Sequence, residues 1–275
     1  MKVLIILTLS FLAGCSAIPS PHRIKTPDGE FSYRLVGESG PTIILEAGLG
    51  DDMKSWQPLL QDLSKQGRIF TYNRAGFKGS HSHNSSRSAS VITGELNRLL
   101  NQLQLPSPYI LVGHSLGGAY MELFAKTYPE QVAGVVLIDP NASKFPQACR
   151  QASLGLCAPP SGMPFWAKWW FPDAVSGEIK GFGKTHQEVN QIKEFPDVPL
   201  VVLSAPLFVN PETENDKKRS DLNTQVQREL SKQSSLSKFI YCDSCNHYIH
   251  HDQPQLLFDA IDWIKQRSDD KVGKR

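Results

Sequence analysis

Three kinds of run alternate along this chain. Phe31 to Val36 switches between apolar and polar residues, as a strand with one exposed face does. Thr42 to Glu46, Tyr109 to Val112, Val132 to Ile138 and Val198 to Leu203 are short and mostly apolar, the pattern of strands covered on both faces. Arg68 to Tyr72 and Phe239 to Tyr241 add two more strands. Between them, Trp56 to Leu63, Val91 to Leu103, Ala119 to Lys126, Asp221 to Gln233 and Pro254 to about Lys265 carry helical spacing. Strands alternating with helices predict βαβ units. The fold class expected is α/β, a mainly parallel central sheet with helices on both faces. The rhythm breaks from Asn141 to about Asp197, an irregular stretch with several prolines and the aromatic group Phe165, Trp166, Trp169, Trp170 and Phe171.

The N-terminus stands apart from this pattern. Met1-Lys2 is followed by an apolar run, Val3 to Ala13, too short to span a bilayer as a helix. It ends in Leu12-Ala13-Gly14-Cys15, which resembles a bacterial lipoprotein signal. That resemblance implies cleavage after residue 14, a lipid on the Cys15 sulfur and a tether over residues 15–29. The folded domain would then run over 30–267, with a charged tail at 268–275. Ser16 behind the cysteine, rather than an aspartate, implies the outer membrane facing the periplasm if the cell is Gram-negative. The alternative is a plain secretory signal that contains a cysteine.

Length and charge narrow the remaining classes. The 275 residues suffice for a large core, and 40% hydrophobic with 20% charged residues is ordinary for a globular domain. A formal net charge of +2 without a dense basic stripe argues against nucleic acid as a partner. Beyond Cys15 there are four cysteines, Cys149, Cys157, Cys242 and Cys245, an even number that suggests two disulfides in an exported chain. Local and crossed pairings both remain open. Cys242-Asp243-Ser244-Cys245 also has zinc-ligand spacing, but no second pair at ribbon spacing accompanies it. No metal or other cofactor is expected.

The chemistry centres on Gly113-His114-Ser115-Leu116-Gly117, a G-x-S-x-G between the strand run and a helical one. A serine at so tight a turn is pushed outward in a strained backbone, and glycines two residues away avoid a clash. Gly113-His114-Ser115-Leu116-Gly117-Gly118, with Leu45-Glu46-Ala47-Gly48-Leu49-Gly50 before it, Asn73-Arg74-Ala75-Gly76-Phe77 between and His247 near the end, resembles the α/β-hydrolase fold family. The resemblance covers about Phe31 to Lys265, except the stretch at about 141–197, which in that family is a variable cap.

The resemblance implies a set of roles. Ser115 would be the nucleophile and His247 its base, with His250 and His251 as rivals; His81, His83 and His186 read as ordinary surface histidines. Many family members carry the acid where this chain has Leu203-Ser204-Ala205-Pro206, without a carboxylate; others carry it one strand earlier, where Asp139 ends the Val132 run. Asp139 is therefore the acid of choice, with Glu212, Glu214 and Asp216, farther along in a charged loop, as alternatives. The backbone N–H groups of Leu49 and Leu116 would receive the oxyanion. A serine nucleophile separates the chain from relatives that attack with aspartate, such as epoxide hydrolases and haloalkane dehalogenases. The aromatic group at 165–171 would line an apolar acyl site, pack the cap onto the core or face a membrane. Two functions follow: a lipid-anchored serine hydrolase of carboxylic esters, or an inactive lipoprotein that keeps the fold and binds.

Overall fold

The computed structural model describes residues 18–84, 86–155, 157, 173–208 and 211–272. The lipoprotein signal, Cys15 and the aromatic group at 165–171 lie outside the described residues. Strand β1 (His22–Thr26) pairs antiparallel with β2 (Gly29–Val36). After β3 (Thr42–Glu46) come a 3₁₀ segment, Met53–Leu59, and α1 (Leu60–Leu63). Next are β4 (Arg68–Tyr72), the short β5 (His81–Ser82), α2 (Ala89–Gln102), β6 (Tyr109–His114) and α3 (Leu116–Thr127). A 3₁₀ turn at Pro129–Gln131 leads to β7 (Val132–Ile138), then α4 (Phe145–Gln151) and α5 (Asp173–Gln191). The chain closes with β8 (Leu200–Ser204), α6 (Glu214–Ser231), β9 (Ser237–Tyr241), α7 (Ile249–Asp252) and α8 (Pro254–Val272).

The sheet order is β1-β2-β4-β3-β6-β7-β8-β9, parallel from β4 to β9 and antiparallel at the β1–β2 edge, where β5 also joins. Alternate residues of each inner strand face opposite layers, so the apolar runs are buried twice over. Ile43 and Leu45 pack with Trp56, Leu60 and Ile261 on one face. Ile44 packs with Leu96, Leu111 and Phe124 on the other.

This order fixes where a site can form. From β3 the chain moves outward to β4, then crosses back to β6 on the other side of β3. The loops leaving β3 and β6 therefore part company, and a crevice opens at the carboxyl ends of the two strands. The turn after β3 carries Leu49; the turn after β6 carries Ser115.

Several elements differ from the pattern reading. The sheet begins at His22, inside the stretch expected as tether, because residues 22–26 register against residues 29–33 in a tight hairpin. α6 starts at Glu214, seven residues before the expected helix, because Thr213 and Asp216 form a capping box. The stretch expected to be irregular contains α4 and α5, and α8 continues past Lys265 to Val272. α5 lies on α2 and α3, where Phe182 and Val189 join their core, while Ala174 and Val175 pack with Phe77.

Candidate active site

Ser115 is the residue between β6 and α3, at φ 52° and ψ −119°. A non-glycine residue at positive φ is strained, and its neighbours must hold it there. Its N–H donates to the Ile138 carbonyl at 3.0 Å, and its carbonyl accepts from Asn141 at 2.9 Å. The flanking glycines are required by contact. A Cβ on Gly113 would stand 2.6 Å from the Gly117 carbonyl oxygen, and one on Gly117 would stand 2.5 Å from that of Ala47. Leu116 opens α3, so its N–H belongs to the helical turn that has no internal acceptor.

Asp139 and His247 come together. Asp139 follows β7, 3% exposed, and its Oδ2 lies 2.6 Å from His247 Nδ1. The other carboxylate oxygen accepts from Gln227 Nε2 at 2.9 Å. A carboxylate facing Nδ1 places the ring proton there and leaves Nε2 bare, the tautomer a base needs. The His247 side chain is 47% exposed.

The other carboxylates and histidines weighed from sequence are committed elsewhere. Asp216 accepts from Thr213 and Arg219, and Glu214 sits exposed in the first turn of α6. Glu212 is exposed just before that helix. His251 Nε2 donates to the Ser55 carbonyl at 2.7 Å. His250 is fully buried against Trp56 and His114, with neither ring nitrogen partnered among the described residues. His186, expected at the surface, is 6% exposed and bonds Asn141 Oδ1 at 2.7 Å. It packs there because α5 lies down on α3 rather than forming a loop.

His114 joins the serine turn to the base loop. Its Nε2 donates to the His247 carbonyl at 3.0 Å, and the two rings lie 4.6 Å apart. Burial, followed by the charge of His247, pushes the His114 imidazole down to about 3, so the ring is neutral. The disulfide Cys242–Cys245 closes the same loop just ahead of His247, and Cys149–Cys157 closes a second loop after α4. The pairing is local in both cases, and it occupies both thiols of the zinc-like spacing. Among the described residues no group of three or more His, Cys, Asp or Glu is placed to hold a metal ion.

The turn after β3 is pinned from behind. Arg74, 1% exposed at its side chain, donates to the carbonyls of Ala47 and Gly48 at 2.8 Å each. It also meets Glu46 Oε1 at 2.7 Å and Glu178 of α5 at 2.5 Å. Burial alone would lower the Arg74 guanidinium, but Glu178 and Glu46 outweigh it and hold the group well above its ordinary value. Because a trans peptide points C=O and N–H in opposite directions, the Gly48 carbonyl facing Arg74 turns the Leu49 N–H away from it. Gly48 itself touches the serine: a Cβ there would lie 3.3 Å from Ser115 Cβ. The same absent Cβ would lie 3.3 Å from Asp51 Oδ2. Asp51 accepts from the Tyr248 hydroxyl at 3.2 Å, which bridges the turn to the base loop. Burial raises the Asp51 carboxyl above its usual value.

Sequence reading missed Gln227, Glu178 and the Asp51–Tyr248 bridge. A carboxylate inside the apolar run Thr42-Ile43-Ile44-Leu45-Glu46 was the one visible sign that a buried cation waits nearby.

The alpha/beta hydrolase fold family matches residues 41–173. The protein YqjL of Bacillus subtilis (strain 168) is 31% identical over 231 residues, covering 82% of this chain and 83% of that one. This chain belongs to the α/β-hydrolase fold family. Among solved structures it resembles a putative lipase from Acinetobacter baumannii AYE, with a TM-score of 0.64, 18% identity and 92% of each chain covered. It also resembles a thermophilic esterase from Thermogutta terrifontis, with a TM-score of 0.59 and 18% identity over 91% of this chain and all of that one. At such identities the likeness is one of fold.

Proposed function

We propose that the chain is a serine hydrolase of carboxylic esters, held at the bacterial cell envelope by a lipid on Cys15. The observation that carries the first half is the 2.6 Å contact between Asp139 and His247, on the loop joined through His114 to Ser115. In this reading the Ser115 hydroxyl attacks the ester carbonyl while His247 Nε2 takes its proton. The oxyanion accepts from the N–H groups of Leu49 and Leu116. Collapse expels the alcohol, which receives the proton from His247 and leaves an acyl-Ser115. Water then attacks the acyl group as His247 removes its proton, the carboxylic acid departs and Ser115 is restored. Asp139 holds the imidazole in its tautomer and stabilises the imidazolium. The aromatic run at 165–171 supports an apolar acyl group, and the Gly14-Cys15-Ser16 sequence supports the anchor, in the outer membrane if the cell is Gram-negative.

The test treats the chain from Ser16 onward, which contains every described residue, with a fluorophosphonate probe. Mass spectrometry is expected to find the adduct on Ser115 and none in Ser115→Ala. A folded sample that takes no label would overturn the hydrolase reading in favour of a binding protein. A labelled sample would justify esters of graded acyl length.

A further inference from the structure

A cavity of about 390 Å³ lies beside the turn after β3 and is lined by Arg23, Arg34, Lys54 and Lys78 around Asp52. Four cations against one carboxylate concentrate more positive charge here than the net +2 of the whole chain. Asp52 is engaged as a helix cap, its Oδ1 accepting from the Lys54 N–H at 2.7 Å. Lys54 and Lys78 are exposed and form no salt bridge among the described residues. Arg23 has one, to Glu30 at 3.5 Å, with two thirds of its own side chain in solvent, a contact worth little. Arg34 donates to Gln57 at 3.3 Å, but its Nε is buried without a partner among the described residues. Gly79 forms part of the wall at φ 81°, a backbone conformation that favours glycine.

We propose that this cavity binds the phosphate of an anionic lipid headgroup. Two planar guanidinium forks and two ammonium groups suit a multi-oxygen anion better than a single carboxylate. The position argues for a lipid as its source. Pro21 lines the cavity six residues after Cys15, a span of at most about 20 Å of extended chain. A lipid anchored at Cys15 therefore brings the cavity within reach of the membrane surface, where juxtamembrane cations meet anionic headgroups. The inference rests on the envelope-anchored reading. It adds an orientation, because Asp52 and Lys54 directly follow the turn that carries Leu49 and Asp51. A headgroup seated there turns the mouth of the Ser115 site toward the bilayer and toward esters dissolved in it.

The chain from Ser16 onward, which lacks the anchor, is sedimented with phosphatidylcholine vesicles and with vesicles that also contain phosphatidylglycerol. Binding is expected only to the second. The triple variant Arg23→Gln, Lys54→Gln, Lys78→Gln, all at exposed positions, is expected to lose about a hundredfold in affinity, roughly fivefold per cation. A control triple at exposed lysines of the far edge, Lys217→Gln, Lys218→Gln, Lys232→Gln, is expected to bind as the parent does. Equal loss in both triples would overturn the proposal in favour of diffuse charge. So would absence of binding to the anionic vesicles. Saturable perturbation of the cavity by inorganic phosphate with no vesicle binding would overturn the lipid assignment in favour of a soluble anion. Radiolabelled palmitate fed to bacterial cells making the full chain is expected to label it and to leave Cys15→Ser unlabelled, which tests the anchor separately, since vesicle binding can fail while the lipid label remains.

Discussion

The turn after β3 and the loop after β9 converge on Ser115, and different forces hold them. Arg74 fastens the first with hydrogen bonds to two backbone carbonyls and two carboxylates, all withdrawn from water. One of those carboxylates, Glu178, comes from α5, so that helix helps to fix where the Leu49 N–H points. In the proposed mechanism the second loop cannot be buried in this way, because a base that hands protons to substrate and water must stay accessible. His247 is half exposed and is held by few bonds: the Asp139 carboxylate, the His114 ring, the Cys242–Cys245 bridge and the Asn246 N–H on Asp252. One half of the site is stiffened by buried charge. The other is propped from beneath by neutral rings.

The largest expected effect breaks the base loop alone. Asp139→Asn preserves shape and the Gln227 side of the contact but removes the acceptor that fixes the His247 tautomer. Turnover of a chromogenic ester is expected to fall roughly a thousand- to ten-thousandfold, with little change in unfolding midpoint. Near-normal turnover would remove Asp139 from the mechanism. Breaking the turn behaves differently, because the damage is to stability. Arg74→Met strands Glu46 and Glu178 in the core, and urea unfolding is expected to show a loss of about 3–5 kcal/mol. A loss below about 1 kcal/mol would mean the network counts for no more than a surface ion pair.

The contrast also marks what could be read from residue order. The parallel strands and the serine turn were legible because burial on both faces forces continuous apolar runs, and because only glycine fits beside Ser115. Asp139 was legible as the acid for His247 because it ends a buried strand, but the carboxylates at 212–216 stayed open beside it, since 108 residues separate the pair and the choice depends on which loops the sheet brings together. Gln227 carries no signal at all: it is one polar residue on a polar helix until α6 packs beside β8. The helix α5 did carry one. Val175, Phe182 and Val189 recur at helical spacing, but the glycines and histidine between them and the proline-rich stretch before it obscured the period. The start of α6 was legible too, in Thr213-Glu214-Asn215-Asp216, a capping-box pattern that the run of charges made look like a loop.

The smallest effect separates the two halves by pH. His114 and His250, beneath the base loop, are held neutral by burial, at about 3 and about 2, whereas an unfolded histidine titrates near 6.5. Between those values the unfolded chain binds protons that the folded chain refuses, so stability falls as pH drops below about 6.5 and is unaffected by these groups above it. At pH 5 each such histidine is expected to cost about 2 kcal/mol relative to pH 7. His186 of α5, at about 4, adds a similar drain. Glu46, raised by burial, works in the opposite sense, because its folded form takes up a proton first as pH falls. Total acid sensitivity therefore cannot identify the base loop, but a difference between variants can. His250→Phe keeps a ring against Trp56 and His114 and removes one titrating group whose nitrogens have no partner among the described residues. Urea unfolding at pH 7 and pH 5 is expected to show about 2 kcal/mol less loss in this variant than in the parent. An equal loss in both would mean that His250 is not kept neutral, and that the base loop does not rest on uncharged rings.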